Sequence, residues 1–135
     1  MFGRAQPPAS GRAAAARGAA DYGATVEVVD ALAIAGHGPA WGTATPDLNA
    51  TVLVWLPGEG QPFHVNEERD VVLVVVEGSG RVTIGDEEQP VSAGTLVVIP
   101  RGVRRAVVAH ADGMRCVTIH KRRDGLAVKR LDPPA

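Results

Sequence analysis

The sequence predicts an all-β fold with little helix, a two-sheet sandwich or a barrel, and three observations carry that prediction. Short apolar runs rich in valine recur along the chain: TVEVVD, NATVLVWL, VVLVVVEG, GRVTIGD, GTLVVIP, RAVVAH and RCVTIHK. Their β-branched content marks them as strands. Between them stand PGEG, EGSG, GDEEQP, PRG and HADG, the punctuation of turns. No long segment repeats its apolar residues at the helical period, and many short strands at regular spacing imply a sandwich or barrel.

Taken in order, residues 1–22 are Ala, Gly, Arg and Pro with almost nothing large to bury. They are expected to be disordered, or at best a frayed helix, because they cannot repay the entropy of ordering. Residues 23–130 are expected to form the single barrel, with 131–135 as a tail. The first strand, TVEVVD, starts at Thr25. The run Val71–Val76 is apolar on both faces, so it must be covered on both, by a second sheet or by a subunit interface. In GRVTIGD, by contrast, Val82 and Ile84 face one way and Arg81 and Thr83 the other, which gives one wet face. Gly78, Gly80, Gly94 and Gly102 are expected where tight turns or positive φ are needed, and Pro100 ends the strand before it.

The 135 residues suffice for one domain with a modest core. A net charge of −1 gives no electrostatic case for nucleic acid or an anionic membrane. The basic run Lys121–Arg123 is followed by Asp124 and reads as a solvated strand end. The single cysteine, Cys116, excludes an intrachain disulfide and reads as a small core residue. No stretch approaches a membrane-spanning helix, and the apolar core of GRAAAARGAAD is too short for a signal peptide and is broken by Arg17 and Gly18. A cytoplasmic protein is the expectation.

The spacing of the central residues resembles the two motifs of single-domain cupins. Gly58, His64, Asn66, Val71 and Gly78 stand where the first motif, G-x5-H-x-H-x3,4-E-x6-G, has its members. Gly94, Pro100, Gly102, Arg105 and Ala109 stand where the second, G-x5-P-x-G-x2-H-x3-N, has its own. Motif 1 thus spans 58–78 and motif 2 spans 94–109. The resemblance covers about residues 48–121 and implies a jelly-roll barrel of the RmlC-like superfamily, within a group of uncharacterised bacterial cupins. It also implies where a metal would sit: on His64, Asn66, Val71 and Arg105. Of these only His64 is a good ligand, and Arg105 brings a positive charge to the cation's place. The expectation is therefore no metal and no cofactor. An alternative register, with Asp70 in place of Val71, leaves a partial set of His64, Asn66 and Asp70.

The polar remainder defines the candidate ligand-binding residues: His64, Asn66, Glu68, Asp70, Arg105 and His120. If the strand stays regular to Asn66, His64 and Asn66 point together into the barrel mouth, as does Arg105. An arginine there needs a partner, because burying it alone is costly. The partner is either Glu68 or Asp70, in an internal ion pair, or a small organic ligand that is anionic or bears a carbonyl. His120 joins the mouth if Cys116, Thr118 and His120 share the inner face. Phe63 is placed to wall the pocket, and Arg104 to face outward. The leading function is a metal-independent ligand-binding cupin. The alternatives are a dioxygenase- or isomerase-type metalloenzyme built on His64, and a silent structural or partner-binding domain. A homodimer is expected, with TVEVVD crossing to pair with the partner's sheet edge.

Overall fold

The computed structural model describes residues 16–19 and 24–122. Nine strands account for its regular structure: β1 (Ala16–Ala19), β2 (Ala24–Val26), β3 (Gly38–Ala44), β4 (Leu48–Trp55), β5 (Gly60–Val65), β6 (Val71–Ile84), β7 (Glu87–Ser92), β8 (Leu96–Ile99) and β9 (Arg104–Lys121). β1 and β2 form a separate two-stranded ribbon, and the other seven make one antiparallel sheet. Two long strands, β6 and β9, fold that sheet over on itself. Their halves around Val71–Gly78 and Met114–Lys121 lie in one layer, ordered β3-β4-β9-β6-β8. Their other halves, Gly80–Ile84 and Arg104–Ala109, lie in the second layer with β5 and β7. This is the all-β jelly roll that the motif resemblance implies, and it agrees with the sandwich or barrel that the strand pattern predicts.

The boundaries differ from the sequence expectation in instructive ways. VVLVVVEG and GRVTIGD are one strand, as are RAVVAH and RCVTIHK. EGSG and HADG do not end strands. Gly78 (φ +81°) and Gly113 (φ +72°) take left-handed conformations that bend each strand while the ladder continues past them. Gly94 and Gly102 also have positive φ; Gly80 does not, and is needed instead because a Cβ there would lie 2.4 Å from the Val108 carbonyl oxygen. GDEEQP holds only a two-residue turn, and its Glu87–Pro90 begin β7, an edge strand whose charge hides it from a hydrophobic pattern. The TVEVVD strand is shorter than expected, since β2 ends at Val26. Within 1–22, Ala16–Ala19 form a strand against β2; the rest of that segment, and 131–135, lie outside the described residues.

The core lies between the layers. Leu73, Val75, Val82, Val91, Val107, Ala109, Met114 and Cys116 are buried there with Trp55. Alternation along β9 buries Arg105, Val107 and Ala109 and leaves Arg104 exposed. Burial pushes the Cys116 thiol up to about 12, so the cysteine stays protonated and packs as an apolar group. Among the described residues no helix is long and apolar enough to cross a membrane.

The outer face of the first layer is partly covered by the chain's own N-terminal arm. Arg115, on that face, donates to the Ala31 and Ile34 carbonyls at 3.1 and 2.7 Å and pairs with Glu77 at 3.2 Å. Its side chain is mostly buried, so replacing it leaves two carbonyls without their donors. Arg115→Ala is expected to cost about 2–3 kcal/mol in urea denaturation, and to raise amide exchange across 27–37 before the barrel itself opens. A loss below about 0.5 kcal/mol would mean the arm is held by other contacts.

Candidate functional site

One end of the barrel is closed by two loops that cross from layer to layer. Residues 66–70 join β5 to β6, and residues 100–103 join β8 to β9. They are tied together: the Gly102 amide donates to the Asn66 carbonyl at 2.8 Å, and the Arg101 amide to Asp70 Oδ1 at 2.9 Å. In the second layer His64 stands directly opposite Arg105 across the β5–β9 ladder, and Arg105 is opposite Ile84 on β6. In the first layer the end row is Asn49, His120, Val71 and Ile99. Register thus places His64 and Arg105 at the end of one sheet and His120 at the matching end of the other. Cys116, Thr118 and His120 do share the inner face, since their partners Val75, Leu73 and Val71 are buried.

Arg105 is the unusual member. It is 5 % exposed, and its Nη1 is buried with no hydrogen-bond partner. Among the described residues no carboxylate lies within ion-pair distance of it. Burial pulls the guanidinium below its ordinary range, with no neighbouring charge acting against that effect. The expected pairing with Glu68 or Asp70 is not formed, and the reason is local. Strand β5 ends at Val65, and Asn66 turns the chain by accepting the Glu68 and Arg69 amides on Oδ1 at 3.0 and 3.1 Å. The even spacing of His64, Asn66, Glu68 and Asp70 therefore does not put them on one face. Asp70 is turned to the Arg101 amide, and Glu68 is exposed.

Two adjoining clefts hold most of the candidates. One of about 370 Å³ is lined by His64, Asn66 and Glu68. A larger one, about 550 Å³, is lined by Glu68, Arg69, Asp70, Arg101 and His120 among others. Glu68 borders both. Arg105 lines neither, but its ladder partner His64 lines the first. His64 Nδ1 lies 3.0 Å from the Pro62 carbonyl and His120 Nδ1 lies 2.9 Å from the Lys121 carbonyl. A carbonyl can only accept, so each Nδ1 carries the proton in the neutral ring and each Nε2 is left as an acceptor.

Phe63 does not wall the clefts at His64 and His120; it lines a separate cleft of about 420 Å³ with Gln61, Arg81 and Glu88. It alternates to the outer face, 44 % exposed, with the Arg104 guanidinium 3.6 Å from its ring centre. Arg69, absent from the sequence-based candidates, is the other buried arginine, at 8 % exposure on the wall of the larger cleft.

The sequence profile of the cupin domain family matches residues 51–120, more than half of the chain. The chain is a cupin. No curated protein matches its sequence. Among solved structures it is similar to KdgF from Halomonas sp., at 27 % identity and a TM-score of 0.59, over 64 % of this chain and 80 % of that one. It is also similar to a Thermus thermophilus protein, TT1209, at 23 % identity and a TM-score of 0.62, over 70 % and 95 %. Oxalate decarboxylase from Bacillus subtilis, a protein with Mn(II) centres, shares the fold at 23 % identity and a TM-score of 0.53, over 57 % of this cupin and 22 % of that longer chain.

Proposed function

We propose that this cupin binds a small organic anion at the loop end of its barrel and does so without a metal. The observation that carries the proposal is Arg105, a guanidinium buried to 5 % exposure with an unpartnered Nη1 and no carboxylate beside it. A buried charge of this kind costs several kcal/mol unless something pairs with it. A ligand carboxylate is the natural partner, because it matches the planar fork of donors. The His64 Nε2, one ladder step away, accepts a hydrogen bond from a hydroxyl on the same ligand. A small hydroxy or keto acid satisfies both groups and fits the volume of the adjoining cleft.

The donor set does not suit the divalent ion that other cupins hold. At the four positions Val71 has no donor atom and Arg105 is a cation. The Asn66 side-chain oxygen, Oδ1, already accepts two amides. Among the described residues no group of three or more His, Cys, Asp or Glu is close enough to share an ion. The metalloenzyme reading therefore rests on His64 alone, short of the three or four ligands such an ion takes. The silent structural reading leaves the Arg105 charge uncompensated.

The test joins metal analysis to a ligand screen. Untagged protein, incubated with iron, manganese, nickel and zinc and then desalted, is expected to carry well under one metal per chain. In the presence of chelator, thermal unfolding with lactate, pyruvate, oxalate and citrate is expected to show stabilisation by at least one of them. A ligand at a hundred times its Kd adds about 2.7 kcal/mol, several degrees for a chain of this size. Metal near one per chain, or no response to any of the four acids, overturns the proposal.

A further inference from the structure

The Arg105 site pairs a fixed cation with a base, and that pair has a chemistry beyond binding. His64 and Arg105 are directly opposed across the β5–β9 ladder, so both side chains leave the same face of the sheet. Opposed residues carry their Cβ atoms about 4.5–5.5 Å apart. An acid held by the guanidinium therefore lies against the imidazole.

The imidazole is also oriented. Its Nδ1 lies 3.0 Å from the Pro62 carbonyl, which keeps the ring proton there and leaves the Nε2 lone pair as the acceptor. A base held in one tautomer by a third group is the arrangement that proton-transfer sites use. His64 lines an open cleft of about 370 Å³, so a small reactant can reach it. His120 holds the same tautomer at the end of the other layer, but its ladder partners are Asn49 and Val71, and neither is a cation. Only at His64 do base and cation stand side by side among the ladder pairs of the two histidines.

We infer that the site catalyses proton transfer at the carbon beside a keto group: it enolises a small 2-keto acid, with His64 as the base and Arg105 holding the enolate. The inference rests on the anion reading above. A C–H bond on the carbon next to the keto group breaks, and its proton moves to His64 Nε2, giving an imidazolium. The bonding pair becomes a carbon–carbon double bond, and the carbonyl π pair moves onto the keto oxygen. That oxygen and the carboxylate share negative charge that the planar guanidinium neutralises where it develops. Return of a proton from Nε2 to the same carbon restores the keto acid, so no oxidant, reductant or second substrate enters. Because His64 borders the open cleft, the Nε2 proton exchanges with water between the two half-steps.

The test is solvent exchange. Pyruvate and 2-oxobutyrate, each mixed with untagged protein and chelator in heavy water, are expected to lose the proton signals of that carbon at least about 100-fold faster than in buffer alone, the low end of what a positioned base supplies. His64→Ala is expected to lose that enhancement and to regain part of it when free imidazole is added, a rescue that a merely structural histidine would not allow. Thermal unfolding of the same samples reads binding separately. A keto acid that stabilises the protein yet exchanges no faster than in buffer overturns this inference and leaves anion binding standing. So does stabilisation by lactate, oxalate or citrate with none by either keto acid. No stabilisation by any of these acids overturns both. Exchange that persists in His64→Ala, or is lost there without rescue while binding is kept, overturns the role of His64.

Discussion

Arg105→Met is expected to make this cupin more stable and at the same time unable to bind its anion. The two effects have one cause. In the free protein the guanidinium is 5 % exposed, its Nη1 has no partner, and burial alone shifts its ionisation. Nothing in the described residues offsets the lost hydration. A methionine of similar length fills the volume beside Ile84 and His64 without that cost. Replacing buried charges by well-packed apolar residues is commonly neutral or stabilising by about 1–4 kcal/mol. For a chain of 135 residues a gain in that range raises the unfolding midpoint by roughly 3–12 °C. Binding moves the other way. The stabilisation by whichever acid protects the unmodified protein should vanish in the variant, a loss of at least about 100-fold in affinity if the charged pair is worth near 3 kcal/mol. Arg105→Lys separates the roles further, since it keeps the charge but loses the fork and should recover only part of the affinity. A variant whose midpoint falls by several degrees would show that Arg105 serves the fold, and the anion site would lose its main support.

Most of the fold was legible because the buried strands advertise themselves. Valine runs, glycine turns and the motif spacing place β4, β8 and the outer ends of β6 and β9 within a residue or two. What was hidden has a physical reason in each case. β7 faces solvent along most of its length, with only Val91 buried, so it lacks an apolar pattern. β3 reads as a loop because Gly38, Pro39 and Gly42 interrupt it, yet it is an edge strand where proline is tolerated. The bends at Gly78 and Gly113 look like turns in one dimension. Only a partner strand that continues past both reveals a single bent ribbon.

The candidate site was legible to the point where strand geometry stops. Alternation put Arg105 inside and Arg104 outside, and both lie there. It failed between residues 66 and 70, because Asn66 uses its side chain to turn the backbone. From that point odd and even positions no longer mean two faces. Counting by twos from His64 selects Glu68 and Asp70, which are exposed, and passes over Arg69, which is buried. An Asn followed by charged residues at the end of a strand is itself a turn signal. Heeding it would have removed the even-spacing argument, although no sequence rule would have turned Arg69 inward.

Gly78→Ala is expected to be among the most damaging small substitutions in the barrel. Two separate penalties meet at this residue. Its φ of +81° is a conformation that a side chain makes unfavourable, by about 1–2 kcal/mol. A Cβ there would also lie 2.1 Å from the Gly113 carbonyl oxygen and 3.0 Å from the Met114 Cα. Both are backbone atoms of β9, which cannot swing aside as a flexible side chain can. Relief requires the two long strands to separate where they fold the sheet over, next to the buried Met114 and Trp55. The close approach should therefore cost more than the conformation. Gly94→Ala and Gly102→Ala supply the comparison. They have φ of +97° and +82°, but a Cβ at either meets nothing within 4 Å. Those two variants should lose about 1–2 kcal/mol each, and Gly78→Ala more than about 4 kcal/mol, with a changed near-ultraviolet signal from Trp55. Urea denaturation of the three side by side measures the difference. Equal losses would mean that the strands have slack at the crossing, and that Gly78 is needed only for its backbone angle.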